Sequence, residues 1–296
     1  MNKQDMLIVV RGGGDIATGT IHRLWKSGFR LLVLETDYPS AIRRQVSVCE
    51  AVYRRKTKVE DLTAVRIEPS AWTEWISNPQ REENEISIVR KQLLQEIRHC
   101  YQERVVPVLV DAKGISIGLL KPQVVIDAIL AKKNLGTGIE MAPLTIALGP
   151  GFEAGADVHY VVETMRGHNL GRVIEKGSAM PNTGVPGVIA GYDRERVIHS
   201  PAEGRIKPVH KIGDYVNQGE IIAEIIVENG TIVPVLASIT GLIRGLITEG
   251  YPVTKGFKIA DIDPRQNEYD NCFTISDKAR CIAGSVLELV CGVMLS

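Results

Sequence analysis

The chain begins with an unbroken apolar stretch at residues 6–10 (MLIVV). Such a run suits a strand covered on both faces, as in a buried parallel sheet. Gly12, Gly13 and Gly14 follow, and a helical pattern is predicted from residue 15 to about residue 27, with Gly28 placed to stop it. A second apolar strand is predicted at 31–35. Together these form a strand–glycine turn–helix–strand unit of about 30 residues. Further on, the pattern predicts a strand within 59–69, a helix over 86–103 and a buried strand at 105–111, which Pro107 weakens. It then predicts a helix at 121–133 with Pro122 near its first turn, a strand at 144–148, a second glycine turn (Gly149-Pro150-Gly151) and a helix at 156–165. Alternating strands and helices argue for an α/β fold, a doubly wound, mostly parallel, Rossmann-like sheet over residues 1–170.

Beyond about residue 167, short strand-like runs punctuated by Gly and Pro replace helical spacing. An internal repeat appears there at an offset of 37 residues: Gly204, Ile206, Gly213, Val216, Gly219, Ile222, Ala223 and Ile225 recur as Gly241, Ile243, Gly250, Val253, Gly256, Ile259, Ala260 and Ile262. Two copies are too few for a solenoid and suit two halves of a small β domain. The repeat resembles the biotinyl/lipoyl-type barrel-sandwich hybrid, whose central hairpin carries a modified lysine. Here that hairpin reads Val227-Glu228-Asn229-Gly230-Thr231, with Asn229-Gly230 as a two-residue turn. No lysine lies between Lys211 and Lys255, so a scaffold or docking role is expected and not a swinging arm. This β-rich domain is assigned to 171–265. A helix at 276–294, with apolar Ala279, Ile282, Ala283, Val286, Leu287 and Val290, is expected to pack the 266–296 tail on the first domain.

Composition narrows the function. With 296 residues, two domains are expected. The 35 basic and 35 acidic side chains balance, and aromatics are 5%, so neither a basic nucleic-acid surface nor a stacking platform is indicated. No run of about 18 apolar residues is present to span a membrane, and no targeting segment is visible at the start. Five scattered cysteines without C-x-x-C spacing argue against zinc and against a disulfide framework. A cytoplasmic protein with reduced thiols is expected.

Gly12-x-Gly14-x-x-Ala17 matches a dinucleotide-binding fingerprint: Gly12 for the tight turn, Gly14 for close approach of a pyrophosphate, Ala17 for helix–strand packing. The following helix start, with Asp15 and Ile16, offers N–H groups to phosphate. Glu35, 18 residues past Ala17, stands where a carboxylate takes ribose hydroxyls and favours NAD-like over NADP-like ligands. Against phosphate, Asp15 brings a negative charge that could instead cap the helix. The plain alternative is a turn that is merely tight.

Elsewhere, His159 and Glu163 would share a helix face at i, i+4 spacing, with Arg166, His168 and Arg172 nearby. That cluster suits anion binding or proton transfer, with His159, Glu163 and His168 as catalytic candidates; the alternative is an ordinary salt-bridged surface helix. Metal ligation is not expected, since three ligands at metal spacing are missing. Arg43 and Arg44 suit a phosphate or carboxylate clamp, and Asp111, Gly149 and Gly151 are crevice candidates. Cys49 reads as a small buried hydrophobe sooner than as a nucleophile. The polar loop at 182–187 is either functional or a linker.

Together these segments resemble the YqeB-type family of selenium-dependent molybdenum hydroxylase system proteins. The matching residues are Arg11 through Gly19, Arg43-Arg44 through Tyr53, Val110-Asp111-Ala112, Gly149 through Phe152, Asp157 through Thr164, Arg166-Gly167-His168, Leu170-Gly171-Arg172 and Asn182-Thr183-Gly184. The resemblance implies an accessory factor in maturing molybdenum hydroxylases that carry labile selenium. It also connects the chain in theme to XdhC-type chaperones, which bind molybdenum cofactor with a Rossmann domain. The expected ligand is an NAD-like dinucleotide or a molybdopterin-type dinucleotide. The expected partners are a client hydroxylase and other maturation factors, with self-association left open. The rival reading is an NAD(P)-dependent oxidoreductase in the same pathway.

Overall fold

The computed structural model describes residues 3, 5–78, 83–184 and 187–295. The chain divides into two compact units, one of Met1–Pro39, Val48–Asn182 and Ile275–Ser296, the other of Ser40–Ser47 and Thr183–Thr274. The boundaries expected from sequence put residues 40–47 in the first domain, 171–182 in the second and 266–274 with the tail. The compact units group all three segments the other way.

The first unit runs β1 (Leu7–Arg11), α1 (Asp15–Lys26), β2 (Arg30–Glu35), α2 (Ala51–Arg54), β3 (Lys56–Val59), β4 (Leu62–Ile67), α3 (Ser70–Ser77), α4 (Glu83–Gln102), β5 (Val106–Val110), α5 (Ile115–Leu120), β6 (Val124–Asp127), β7 (Leu144–Leu148), β8 (Glu153–Ala154), β9 (Tyr160–Val162), β10 (Val173–Ile174), β11 (Gly177–Ser178) and α6 (Asp277–Leu295). Nine strands form one sheet in the order β10-β9-β7-β6-β1-β2-β5-β4-β3, and β8 pairs with β11 apart from it. Every neighbour pair between β4 and β9 is parallel; only the outer pairs β3–β4 and β9–β10 are antiparallel. The unit is thus a mixed α/β fold with a large, mostly parallel sheet.

The central strands are apolar between their ends because both faces are covered. Leu7 and Val9 of β1 join Leu32, Leu34, Leu109 and Val125 in a core shared with α3, α4 and α5. The pleat turns Ile8 and Val10, also fully buried, to the opposite face. Helices α1 and α6 pack on each other, and α6 also meets β7 and β9. Pro107 is tolerated inside β5 because the β2–β5 ladder starts at Val33–Val108, one residue beyond it.

Two predicted helices are strands. Residues 121–133 contain β6, and the local helix is α5, which ends before Pro122. Residues 156–165 contain β9, paired in parallel with β7. In both places a short apolar run satisfies either period, and β-branched residues (Val124, Val125, Ile126; Val161, Val162) decide for the sheet. The strand expected within 59–69 is the second arm of a hairpin, β3–β4.

The second unit adds β12 (Val197–His199), β13 (Gly204–Pro208), β14 (Tyr215–Val216), β15 (Ile221–Ile226), β16 (Ile232–Leu236), β17 (Gly241–Leu246), β18 (Pro252–Val253) and β19 (Lys258–Asp263). They form two four-stranded sheets, β12-β19-β17-β14 and β16-β15-β13-β18. The 37-residue offset carries β13, β14 and β15 onto β17, β18 and β19, and each half lends its short middle strand to the other half's sheet. The hydrogen bonds repeat as well: Gly213 N–H donates to Ile243 C=O and Gly250 N–H to Ile206 C=O, both at 2.8 Å. At Gly204 and Gly241 a side chain would run into the carbonyls of Ile226 and Asp263, which is why both copies start with glycine. The repeated apolar positions fill one core. Residues 40–47 complete this unit from far upstream: Ile42 C=O accepts from Leu246 N–H at 2.8 Å, and Arg44 Nε donates to Leu246 C=O at 2.7 Å.

The hairpin between the halves has three loop residues, not the expected two. Val227 N–H donates to Thr231 C=O at 2.9 Å, enclosing Glu228, Asn229 and Gly230. Gly230, with φ +83°, takes the left-handed position that closes such a loop.

Candidate functional site

In an open α/β sheet the crevice lies beyond the carboxyl ends of the strands, where the chain changes direction across the sheet. Here that point flanks β1, with β2 on one side and β6 on the other. The glycine turn after β1 stands at it, and its three glycines play different parts.

Gly12 has φ +93°, donates to Leu34 C=O at 2.8 Å, and leaves no space for a Cβ, which would sit 2.9 Å from Ala128 O. Gly13 is enclosed by protein. Its N–H donates to Glu35 Oε2 at 2.8 Å, its carbonyl accepts from Cys49 N–H at 2.9 Å, and a Cβ would lie 3.0 Å from Cys49 N. Gly14 is the N-cap of α1, its carbonyl accepting from Thr18 N–H at 2.8 Å. Nothing lies within 4 Å of where its Cβ would be, and no described residue accepts from the N–H of Gly14 or Ile16. Ala17 is fully buried at the helix–strand contact. The open face of the turn is therefore at Gly14 and Ile16, whose N–H groups, with the α1 dipole, favour an anion.

Glu35 is committed to backbone: its two carboxylate oxygens accept from Gly13 N–H and Thr36 N–H, each at 2.8 Å. Burial raises its pKa, and those two bonds oppose the rise. It braces the glycine turn through these two bonds.

Two groups that the sequence reading did not single out stand beside this turn. Arg11, 1% exposed at the end of β1, donates from Nη1 to Thr137 Oγ1 at 2.5 Å, and Thr137 Oγ1 donates to Asp127 Oδ2 at 2.6 Å. Asp127 ends β6, and misreading that strand as helix hid it; a charged residue closing an apolar run was the available signal. Lys278, in the first turn of α6, has its pKa lowered, chiefly by burial and then by Arg166; Asp15, Glu163 and Asp277 oppose the fall. Its trace in the sequence was the only lysine of a mostly apolar helix, in that helix's first turn.

Of the remaining candidates, Glu163 and Arg166 act on the same Lys278 as Asp15, whereas the others do not join them. His159 and Glu163 share no helix face. They bracket β9, roughly 13 Å apart at about 3.3 Å per strand residue. His159 Nδ1 is 2.8 Å from Thr145 Oγ1 at the entry to β7, the edge away from the glycine turn. Glu163, 3% exposed, accepts from Met165 N–H at 2.7 Å and Met180 N–H at 2.8 Å. Arg166 makes a two-pronged pair with Asp277 (2.9 and 3.0 Å), and His168 is exposed in a turn. Asp111 caps α5, accepting from Ile115 N–H at 3.0 Å and Ser116 N–H at 2.8 Å. In the second glycine turn, side chains at Gly149 and Gly151 would meet Thr164 Oγ1 (2.5 Å) and Lys133 backbone (2.6 Å), so those glycines serve packing. Arg43, in the second unit, donates to Asn271 C=O at 2.7 Å. The loop at 182–187 includes residues 185 and 186, which lie outside the described residues.

Cys49 is fully enclosed, and burial first, then Glu35, Glu50 and Asp15, push its thiol well above its ordinary value. Burial likewise raises Cys100 to about 11. Iodoacetamide on the native protein is therefore expected to label exposed Cys281 first, leaving Cys49, Cys100 and Cys272 unmodified until unfolding. Peptide mass mapping reads the outcome, and labelling of Cys49 in the folded chain would restore the nucleophile reading.

No described helix is long and apolar enough to cross a membrane. No family model matches the chain. Among solved structures, it overlaps the product-bound ectoine utilization protein EutE (DoeB) from Ruegeria pomeroyi at 12% identity and TM-score 0.26, covering 88% of this chain and 86% of that one. A succinylglutamate desuccinylase/aspartoacylase from Rhodobacter sphaeroides gives 14% identity and the same TM-score of 0.26, over 88% and 86% of the two chains. Likeness at that level says nothing about chemistry here. Among curated proteins, "Uncharacterized protein YqeB" of Escherichia coli (strain K12) is 44% identical over 289 residues, 97% of this chain and 48% of that protein. The chain thus spans about half the length of the relative it matches, and over nearly all of its own length it is similar to YqeB, which supports a relation to the YqeB family.

Proposed function

We propose that the first unit is a Rossmann-like domain that binds a phosphorylated, nucleotide- or dinucleotide-type cofactor at the open face of Gly14. On this reading the second unit is a barrel-sandwich docking module, and the chain is an accessory factor in maturing selenium-dependent molybdenum hydroxylases. The pathway rests on the sequence resemblance. The ligand rests on one observation: Gly14 and Ile16, at the start of α1, have N–H groups that no described residue accepts from, and nothing lies within 4 Å of the Cβ position of Gly14, at the sheet's change of direction. A pyrophosphate fits that cradle whether it belongs to NAD or to a molybdopterin dinucleotide.

The oxidoreductase alternative needs an acid–base group at the reacting end. The separation of His159 from the crevice and the backbone-bound carboxylate of Glu163 take away the two acid–base groups read from the sequence, which leaves that alternative only Lys278.

Gly14→Val separates ligand binding from folding. The added side chain enters open space at φ −66°, which any residue adopts, so the only stability cost is the poorer N-cap, about 1 kcal/mol, and the fold is expected to hold. Binding of ADP, NAD or a molybdopterin dinucleotide, followed by calorimetry, is expected to weaken at least about a hundredfold as the bulk blocks phosphate approach. No binding by the wild-type chain, or equal binding by the variant, would refute the proposal.

A further inference from the structure

A cavity of about 420 Å³ lies at the edge of the first unit's sheet opposite the glycine turn. It opens where β2 and β5 begin, whereas the glycine turn follows the end of β1. Its walls include Trp25, Phe29 and Tyr101, and its two charged lining residues, Lys26 and Arg104, are both cations. Among the described residues no carboxylate lines it. That volume accommodates a small molecule, and such sites pair apolar walls with a few placed polar groups.

Two details give the cavity a polarity. The first is Arg104. Its backbone is left-handed at φ +55°, its carbonyl accepts from Trp25 Nε1 at 3.1 Å, and its guanidinium carbon lies 5.6 Å from the Trp25 ring centroid. It forms no ion pair or side-chain hydrogen bond with a described residue. Lys26, by contrast, is paired with Asp61. The second detail is Leu31. Glu35 C=O accepts from Asp111 N–H, so by the two-residue period the odd-numbered carbonyls of β2 face β5. Leu31 C=O therefore faces residue 107, which is proline and has no N–H to give. The missing ladder bond leaves an acceptor at the cavity wall.

We propose that this cavity binds a small planar aromatic carboxylate bearing a ring N–H. The guanidinium of Arg104 takes the carboxylate, the aromatic walls take the ring, and Leu31 C=O accepts the N–H. The inference stands apart from the glycine-turn reading, since it uses other residues at the other edge of the sheet.

Indole-3-acetate is the probe, followed by calorimetry with the full chain. Saturable binding is expected. It should weaken by about tenfold or more in Arg104→Gln, an exposed change that leaves the fold alone, and equally when the probe is the neutral indole-3-acetamide. Pro107→Val restores an N–H for Leu31, so the preference for indole-3-acetate over 1-naphthaleneacetate, which lacks the ring N–H, should disappear. Absence of saturable binding at millimolar probe, unchanged affinity in Arg104→Gln, or an unchanged preference in Pro107→Val would each overturn the proposal.

Discussion

Gly19→Val is expected to destabilise the chain by about 3 kcal/mol, read as a fall in the urea midpoint. Gly19 is buried in α1 where α6 crosses it, and an added Cβ would lie 2.7 Å from both Cβ and O of Ala279. Two of the three nearest atoms are backbone, so relief requires moving a helix and not a side chain. Even Gly19→Ala should lose stability, although glycine-to-alanine in a helix is ordinarily worth about 1 kcal/mol in the other direction. Gly284 of α6 supplies the contrast. Nothing lies within 4 Å of its Cβ position, so Gly284→Ala should gain that increment of about 1 kcal/mol. Ala279→Gly should rescue Gly19→Ala only in part, because the Ala279 carbonyl remains in the way. Equal gains at both glycines would show that the two helices do not meet as described.

This contact was half-visible in the sequence. The helix at 276–294 shows its buried stripe plainly, and Ala279, Ile282, Ala283, Val286 and Val290 are all fully buried. Its partner helix is not readable from that stripe, because periodicity names a face and not what covers it. The glycine turn and the internal repeat were legible for a different reason. Each is set by backbone geometry that only glycine meets, as at Gly12, Gly204 and Gly241, so the residue identity records the local fold. Strands β6 and β9 were misread because strands of four and three residues carry too little phase to separate the two periods. Residues 40–47 could not be assigned to the second unit, since Ile42 meets Leu246 across some two hundred positions and no local pattern encodes that pairing. The error at β9 also undid the His159–Glu163 cluster, which depended entirely on a helical repeat. The error at β6 hid Asp127.

Asp127→Ala is expected to cost about 3–5 kcal/mol, the largest loss among single changes beside the turn. Asp127 is 2% exposed, Arg11 is 1% exposed, and their charged atoms lie 3.9 Å apart with Thr137 bridging them. Arg11 also donates to Ala112 C=O at 3.2 Å and Leu135 C=O at 3.4 Å, so removing the acid leaves a hydrogen-bonded but uncompensated buried cation. A double change, Arg11→Met with Asp127→Leu, removes both charges and should recover most of the loss, because the desolvation of each ion offsets much of their attraction. The same burial fixes the pH response. It raises the Asp127 carboxyl above its ordinary value, against the opposing pull of Thr137, Ile129 N–H and Arg11. A carboxyl raised on folding binds its proton more tightly in the native state. Stability therefore falls as pH climbs from the ordinary carboxylate range through the raised pKa, and levels off above it. Glu35, raised for the same reason, adds a slope of the same sign. Urea midpoints measured from pH 4 to 8 should accordingly decline in the wild-type chain and decline less in Asp127→Asn. A variant whose midpoints keep the full wild-type slope would mean that Asp127 does not titrate in the folded protein, and that the buried pair holds β1 to β6 by hydrogen bonds alone.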